Sequence, residues 1–351
     1  MSQALPYSSV PAPRNDSAAR KLLRTIPLLA LLGGLAAIWL SGNGAQLNAV
    51  RLVLIIALGL FTLILPFSAK RALRYARFAV LGLIATVIVL PFVWLICSSF
   101  KKVVFDEYSF LPPPGPNFTQ NVNTYNFKKL FAPTETVEGS VTFWRYIFNS
   151  LFLASAATII SLIFCSMGGY AMAKFRFRGR TPIITFMLAS MTIPGVVLLA
   201  PNFSIIWHLG WMDTYRALIV PGCVSVFGIF LYRQAMLGVP DELIEAGRID
   251  GCSEWRIYLQ LIMPLVRPMT GAFCLISFLG NWNSFLGPNI FLQSQSKLTL
   301  PVVLNQYLGV YQQEYGVFLA GTLLAIIPPA VLFLSLQREF ISGLTSGAVK
   351  Q

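Results

Sequence analysis

Apolar and polar residues alternate along this chain in long blocks. Eight predominantly apolar runs fall at about 26–40, 50–67, 78–97, 146–173, 183–206, 217–236, 269–290 and 315–336. A helix needs about 20 apolar residues to cross a hydrocarbon core about 30 Å thick. Lipid offers no hydrogen bonds, so each span must satisfy its own backbone as a helix. The pattern therefore predicts an all-α, polytopic transmembrane bundle of about eight spans. Pro194 and Pro201 interrupt the fifth run and Pro221 the sixth, and all three are expected to kink their helices.

One polar stretch between the sixth and seventh runs is too hydrophilic to span. Residues 240–268 read PDELIEAGRIDGCSEWRIYLQLIMPLVRP, which predicts two short helices around a glycine turn. Pro240 suits a helix start, because its missing N–H is not needed there. Asp241 and Glu242 then sit at the positive end of the helix dipole. Leu243, Ala246, Gly247 and Asp250 follow helical spacing on one side, and Ala246 and Gly247 would let another surface approach closely. Gly251 is expected to make the turn. Ser253 is expected to cap the second helix and Pro264 to end it.

Charge orients the runs. Only 11% of residues are charged, against about 25% in a soluble domain, and the net charge is +13. The positive residues cluster beside apolar runs, at Lys70, Arg71, Arg74 and Arg77 and again at Lys174, Arg176, Arg178 and Arg180. The positive-inside rule places both clusters in the cytoplasm. Two spans separate them, so they agree, and two spans further on residues 240–268 fall on the same side. Both termini follow. The segment 101–145, with five basic and four acidic residues, falls outside. No arginine–aromatic repeat accompanies the charge, so the lipid bilayer rather than nucleic acid is the expected partner. The first apolar run follows a basic region, as in a signal peptide, but a second run begins soon after it. It reads as a retained span. Residues 1–75 are thus expected to form a cytoplasmic tail plus an added two-span hairpin. Residues 76–351 form a six-span core.

The polar stretch carries a family resemblance. Glu245-Ala246-Gly247, three residues, Gly251, nine residues and Leu261-Ile262-Met263-Pro264 resemble the EAA loop of binding-protein-dependent ABC importer permeases. That pattern is Glu-Ala-Ala, three residues, Gly, nine residues, Ile-x-Leu-Pro. Gly247 departs from it, which weakens the first helix by about 1 kcal/mol relative to Ala. Residues 169–179 (GYAMAKFRFRG), 278–286 (FLGNWNSFL) and the C-terminal Gln337-Arg338-Glu339-Phe340 resemble the carbohydrate class, MalG-like inner-membrane subunits among them. The resemblance covers about residues 75–350. It implies a permease in a bacterial cell (inner) membrane, paired with a second permease subunit and a cytoplasmic ABC ATPase dimer. An extracellular or periplasmic solute-binding protein would meet the outer loop at about 291–314. The implied ATPase-docking loop comprises Glu245, Ala246, Gly247, Asp250, Gly251 and Pro264. Glu245 would make a polar contact there, and Gly251 would set the interhelix angle. Motion would pass through the sixth and seventh spans. ATP would be bound by the partner subunits, so no cofactor and no enzymatic activity are expected of this chain.

The remaining chemistry is sparse. The chain has no Gly-x4-Gly-Lys-Ser/Thr phosphate loop. The sole histidine, His208, lies between Trp207 and Trp211, as in an interfacial aromatic belt. The five cysteines show no Cys-x-x-Cys spacing, so no metal site or disulfide framework is expected. Acids are nearly absent from the spans, which argues against proton or sodium coupling. Asn281, Trp282 and Asn283 interrupt an apolar run. They could line a solute pathway, with amides and an indole meeting sugar hydroxyls and ring faces, or serve as packing groups. The solute stays open between a sugar and a polyamine or glycerol phosphate. An ATP-independent channel or a membrane enzyme would need a pore-lining repeat or a polar catalytic cluster, and neither is evident.

Overall fold

The computed structural model describes residues 69–105, 110–111, 118–136, 139–309 and 314–346, with side chains between 77 and 341. The expected tail and hairpin before residue 69 lie outside the described residues, as does the C-terminal end after 346. The chain divides into two compact units, residues 1–126 and 127–351.

The first unit contributes one long helix, α1 (Ala69–Ser99), whose segment Arg77–Ser99 is long and apolar enough to cross a membrane. Its last carbonyls have no intrahelical donors. Phe100 N–H and Lys101 N–H donate to Cys97 O and Ser98 O, and the Asn126 amide donates to Ser99 O at 2.9 Å and to Lys101 O, just past the helix, at 2.8 Å.

The second unit is built on α2 (Phe143–Lys174), which matches the run predicted at 146–173. Helices α3 (Arg180–Ser190), α4 (Leu199–His208) and α5 (Val226–Leu237) follow. Next come α6 (Asp241–Ile249) and a helix with a π segment, α7 (Glu254–Leu265). The unit closes with α8 (Arg267–Trp282), α9 (Leu286–Phe291), α10 (Leu300–Gln306) and α11 (Tyr315–Ser346). Among the described residues the fold is helical apart from one hairpin, in which Thr134–Thr136 pairs antiparallel with Gly139–Val141, and an isolated bridge between Lys101 and Val122. That hairpin lies in the polar segment, where no periodicity announced it.

Among the described residues this unit has two larger buried clusters, beside a small one of Ile206, Ala217 and Phe291. One gathers Phe143, Tyr146, Phe278, Trp282, Leu300 and Val317. The other gathers Cys165, Tyr232, Met236, Ile244, Ile257 and Phe273 beneath the polar stretch. In the second, α2 and α5 approach backbone to backbone at Gly169. A Cβ there would collide with the Tyr232 side chain and stand 2.9 Å from the Arg233 amide nitrogen.

The described residues cover six of the eight expected runs. Among the described residues, three helices are long and apolar enough to cross a membrane, or four if the bent pair Glu254–Leu265 and Arg267–Trp282 counts as one. The run at 183–206 is broken between α3 and α4, with Pro194 in the gap. Pro201 sits in the first turn of α4, where it removes no helical bond. The run at 217–236 is split by turns at Pro221–Gly222, leaving the 12 residues of α5, about 18 Å of helix. The run at 269–290 starts in α8 but stops at Trp282 before restarting as α9. Average hydropathy registered these stretches as apolar, but proline, glycine and polar groups fix where each helix breaks.

Candidate docking loop

Helix α6 begins after Pro240, which acts as N-cap residue with φ −59° and ψ 138° rather than as the first helical residue. Asp241 and Glu242 occupy the first turn. The helix ends in a Schellman closure: Cys252 N–H donates to Gly247 O at 2.9 Å and Gly251 N–H to Arg248 O at 3.0 Å. The closure requires a left-handed residue after the C-cap Asp250, and Gly251 supplies it with φ +76°. Ser253 then caps α7, its Oγ accepting from Arg256 N at 3.4 Å.

The expectation for Pro264 needs correction. The helix runs through it to Leu265, and the break falls at Val266 with an 82° bend into α8. The π segment Ile257–Ile262 lies directly before it, and Met263 N–H bonds to Tyr258 O, five residues back. Wider winding tolerates a residue that lacks an amide hydrogen, so the proline does not terminate the helix.

The loop has two faces. Ile244, Ile257, Tyr258 and Ile262 are buried against the body. Glu245, Ala246, Asp250 and Gly251 are exposed, and Ile249 is 86% exposed and Trp255 61%. Gly247 faces Ile257, whose Cγ1 lies 3.3 Å from where a Cβ would be. Its small size thus serves the packing of the two loop helices on each other. Arg248 links them, its Nε 2.8 Å from Glu254 Oε1.

The C-terminal end of α2 seats the loop. Ser166 Oγ and Tyr258 Oη share a hydrogen bond of 2.6 Å, and Tyr170 Oη donates to Glu254 Oε2 at 3.2 Å. The Lys174 ammonium donates to Val239 O at 2.5 Å and Asp241 Oδ1 at 2.6 Å. That ammonium holds the Asp241 carboxyl below its ordinary range. The two polar regions expected to share one side of the membrane, 174–180 and 240–268, are thus joined.

Residues 165–341 match the family described as binding-protein-dependent transport system inner membrane component. The chain belongs to this family. The permease is 38% identical over 208 residues to the arabinooligosaccharides transport system permease protein AraQ of Halalkalibacterium halodurans, covering 59% of this chain and 75% of the relative. It is 30% identical over 284 residues to the lactose transport system permease protein LacG of Rhizobium radiobacter, covering 80% and 98%. A chain from a bacterial ABC transporter that imports alginate superposes with a TM-score of 0.66 at 22% identity, covering 78% of the permease and 98% of that chain. The fold is therefore that of a multi-pass ABC importer membrane component.

The other candidate residues of the permease are dispersed. Asn281 Nδ2 donates back to Ser277 O at 2.8 Å within α8. Asn283 is exposed at the C-cap, and its N–H closes the helix on Leu279 O. Trp282 is buried, stacks on Phe278 and donates from Nε1 to Ala325 O at 3.2 Å. Its partner carbonyl is free because Pro329, four residues on, has no amide hydrogen. The indole thus has a packing partner, which favours the packing reading at this position.

Sequence reasoning missed a polar knot at the far end of the unit. Asp213 sits in the left-handed region, with φ 57°. Its carboxylate accepts from Lys297 Nζ at 2.6 Å, Ser294 Oγ at 2.6 Å and the amides of Gln293 and Ser294, both at 3.0 Å. Burial pushes this carboxyl up, but the bonds from Lys297 and Ser294 and the backbone amides outweigh burial and hold it far below the usual range. A lone aspartate after a Trp-Met pair offers no such signal in sequence.

Proposed function

We propose that this permease is one of two membrane subunits of an ATP-driven importer for a di- or oligosaccharide. Relatives named for arabinooligosaccharide, lactose, galactooligosaccharide and trehalose/maltose transport support a sugar over a polyamine or glycerol phosphate. Around it we place a second permease, a cytoplasmic ATPase dimer and an extracellular binding protein. The complete topology on this reading is eight spans: the hairpin of residues 1–75 and the six-span domain of 76–351, with both termini in the cytoplasm. The broken helices α3–α4 and the α8–α9 pair then count as interrupted spans, with α6 and α7 in the loop.

One observation carries the docking role. The family-like Glu245-Ala246-Gly247…Gly251 pattern forms a two-helix loop whose outward face bears Glu245, Ala246 and Asp250 beside the exposed Ile249 and Trp255. Such a face offers an apolar centre with a polar rim, which suits a protein partner. ATP binding by the partner shifts the permease between inward- and outward-open states only through differential affinity for them.

The test is purification of the tagged permease from its native membrane, with Gly251→Pro in parallel. Proline cannot adopt φ +76°, so the Schellman turn is lost. Co-purification of an ATPase and a second permease, with loss of the ATPase alone in the variant, is the expected outcome. A permease that purifies alone in mild detergent contradicts the reading.

A further inference from the structure

Ser166, Tyr170 and Lys174 recur every four residues, so they form one stripe along the C-terminal end of α2. Each grips a different part of the loop. Ser166 holds Tyr258 in the π segment, Tyr170 holds Glu254 at the start of α7, and Lys174 holds Val239 and Asp241 at the start of α6. Gly169, on the same stretch of α2, lets the incoming α5 backbone come within packing distance.

The helices that flank the loop in sequence are poor levers. α5 begins only after the turns at 220–225, and α7 bends by 82° into α8 at Val266. By contrast, α2 is continuous over 32 residues, about 48 Å. It is an unbroken span seated on both loop helices, whereas α11, also unbroken, meets this part of the chain beyond the bend, at Arg267 and Gly271.

We infer that the 166/170/174 stripe makes the docking loop and α2 one rigid body, so that loop displacement drives α2 directly while the chain flexes at Val266. Tyr258 and Glu254 are then positioning residues for energy coupling, distinct from the outward face that meets the ATPase. This rests on the docking role proposed above.

The test uses the whole purified complex, with ATP plus vanadate as the probe. Spin labels enter as non-natural residues, leaving the native cysteines in place. One pair sits at Leu259 and Ile159, both exposed, and another at Leu259 and Ile276 across the bend. On trapping, the 259–159 distance is expected to hold while the 259–276 distance shifts. In Ser166→Ala/Tyr258→Phe/Glu254→Gln, with the ATPase still co-purifying, the 259–159 distribution is expected to broaden and shift. Tyr258→Phe alone keeps the ring and serves if the triple variant does not assemble. Its 259–159 distribution is then expected to broaden. A wild-type 259–159 distance that moves, a 259–276 distance that holds, or a variant with wild-type distances overturns the inference. Absence of an ATPase from the wild-type complex would instead sink the docking role.

Discussion

Lys174 and Asp241 meet at 2.6 Å, joining the last residue of α2 to the first of α6, but the two partners are unequal. The Lys174 side chain is 5% exposed and that of Asp241 66%. Exposed ion pairs contribute little because water already solvates the charges. The lysine also serves Val239 O, at the junction between α5 and the loop. Lys174→Ala strands that carbonyl and should cost roughly 1–3 kcal/mol, whereas Asp241→Asn should leave thermal stability nearly unchanged. Melting of the two purified variants in mild detergent checks the asymmetry. Equal losses would mean the ion pair, not the lysine's seat, is what matters.

Asp213 gives a pH prediction. Its folded carboxyl titrates well below its unfolded value of about 4. A depressed group contributes stability that is present above the unfolded value and is lost as pH falls through the folded one. The knot should therefore be fully formed from pH 5 to 8 and weaken only in strong acid. Asp213→Asn should lower the melting temperature by a constant amount across that neutral range. The gap to wild type should close only below about pH 4. A gap that changes between pH 6 and 8 would point to another titrating group.

Two glycine variants should behave oppositely. At Gly169 an added Cβ meets the Tyr232 side chain and the Arg233 backbone, neither of which yields without separating α2 from α5. Gly169→Ala should cost about 1–3 kcal/mol or prevent assembly. At Gly247 the obstacle is Ile257 Cγ1 at 3.3 Å, part of a side chain that can shift slightly. Alanine there also favours helix by about 1 kcal/mol. Gly247→Ala should therefore be neutral or stabilising in a melting experiment, with ATPase co-purification retained.

The contrast between Gly251 and Pro264 shows what the sequence could disclose. Gly251 was legible because a helix ending before a capping serine needs a left-handed residue, a local requirement. Pro264 misled because local logic ends a helix at proline, while the π segment before it absorbs the defect. The long runs behind α2 and α11 were readable because apolar residues fill whole bilayer-length segments. The breaks in the runs at 183–206 and 217–236 were not, since a hydropathy average is blind to a few turn residues. The seat of the loop on α2 was hidden for another reason. Ser166 and Tyr258 are 92 residues apart, and nothing in either local pattern names the other.

The roles left open for Trp282 can be separated by a double-mutant cycle with Pro329. In the native helix α11, Pro329 cannot donate to Ala325 O, and Trp282 Nε1 takes that carbonyl at 3.2 Å. Trp282→Phe keeps the stack on Phe278 but removes the donor, leaving a buried acceptor unsatisfied at a cost of about 1–2 kcal/mol. Pro329→Ala restores an amide hydrogen aimed at the same oxygen. In that background the indole is no longer the sole donor, so Trp282→Phe should cost measurably less, and the two changes should couple favourably. Melting of the four proteins in one detergent measures the coupling. Solute uptake by cells carrying Trp282→Phe supplies the second axis. Uptake that falls only in proportion to folded protein fits a packing tryptophan. A specific loss of uptake with no loss of stability would instead return Trp282 to the solute pathway.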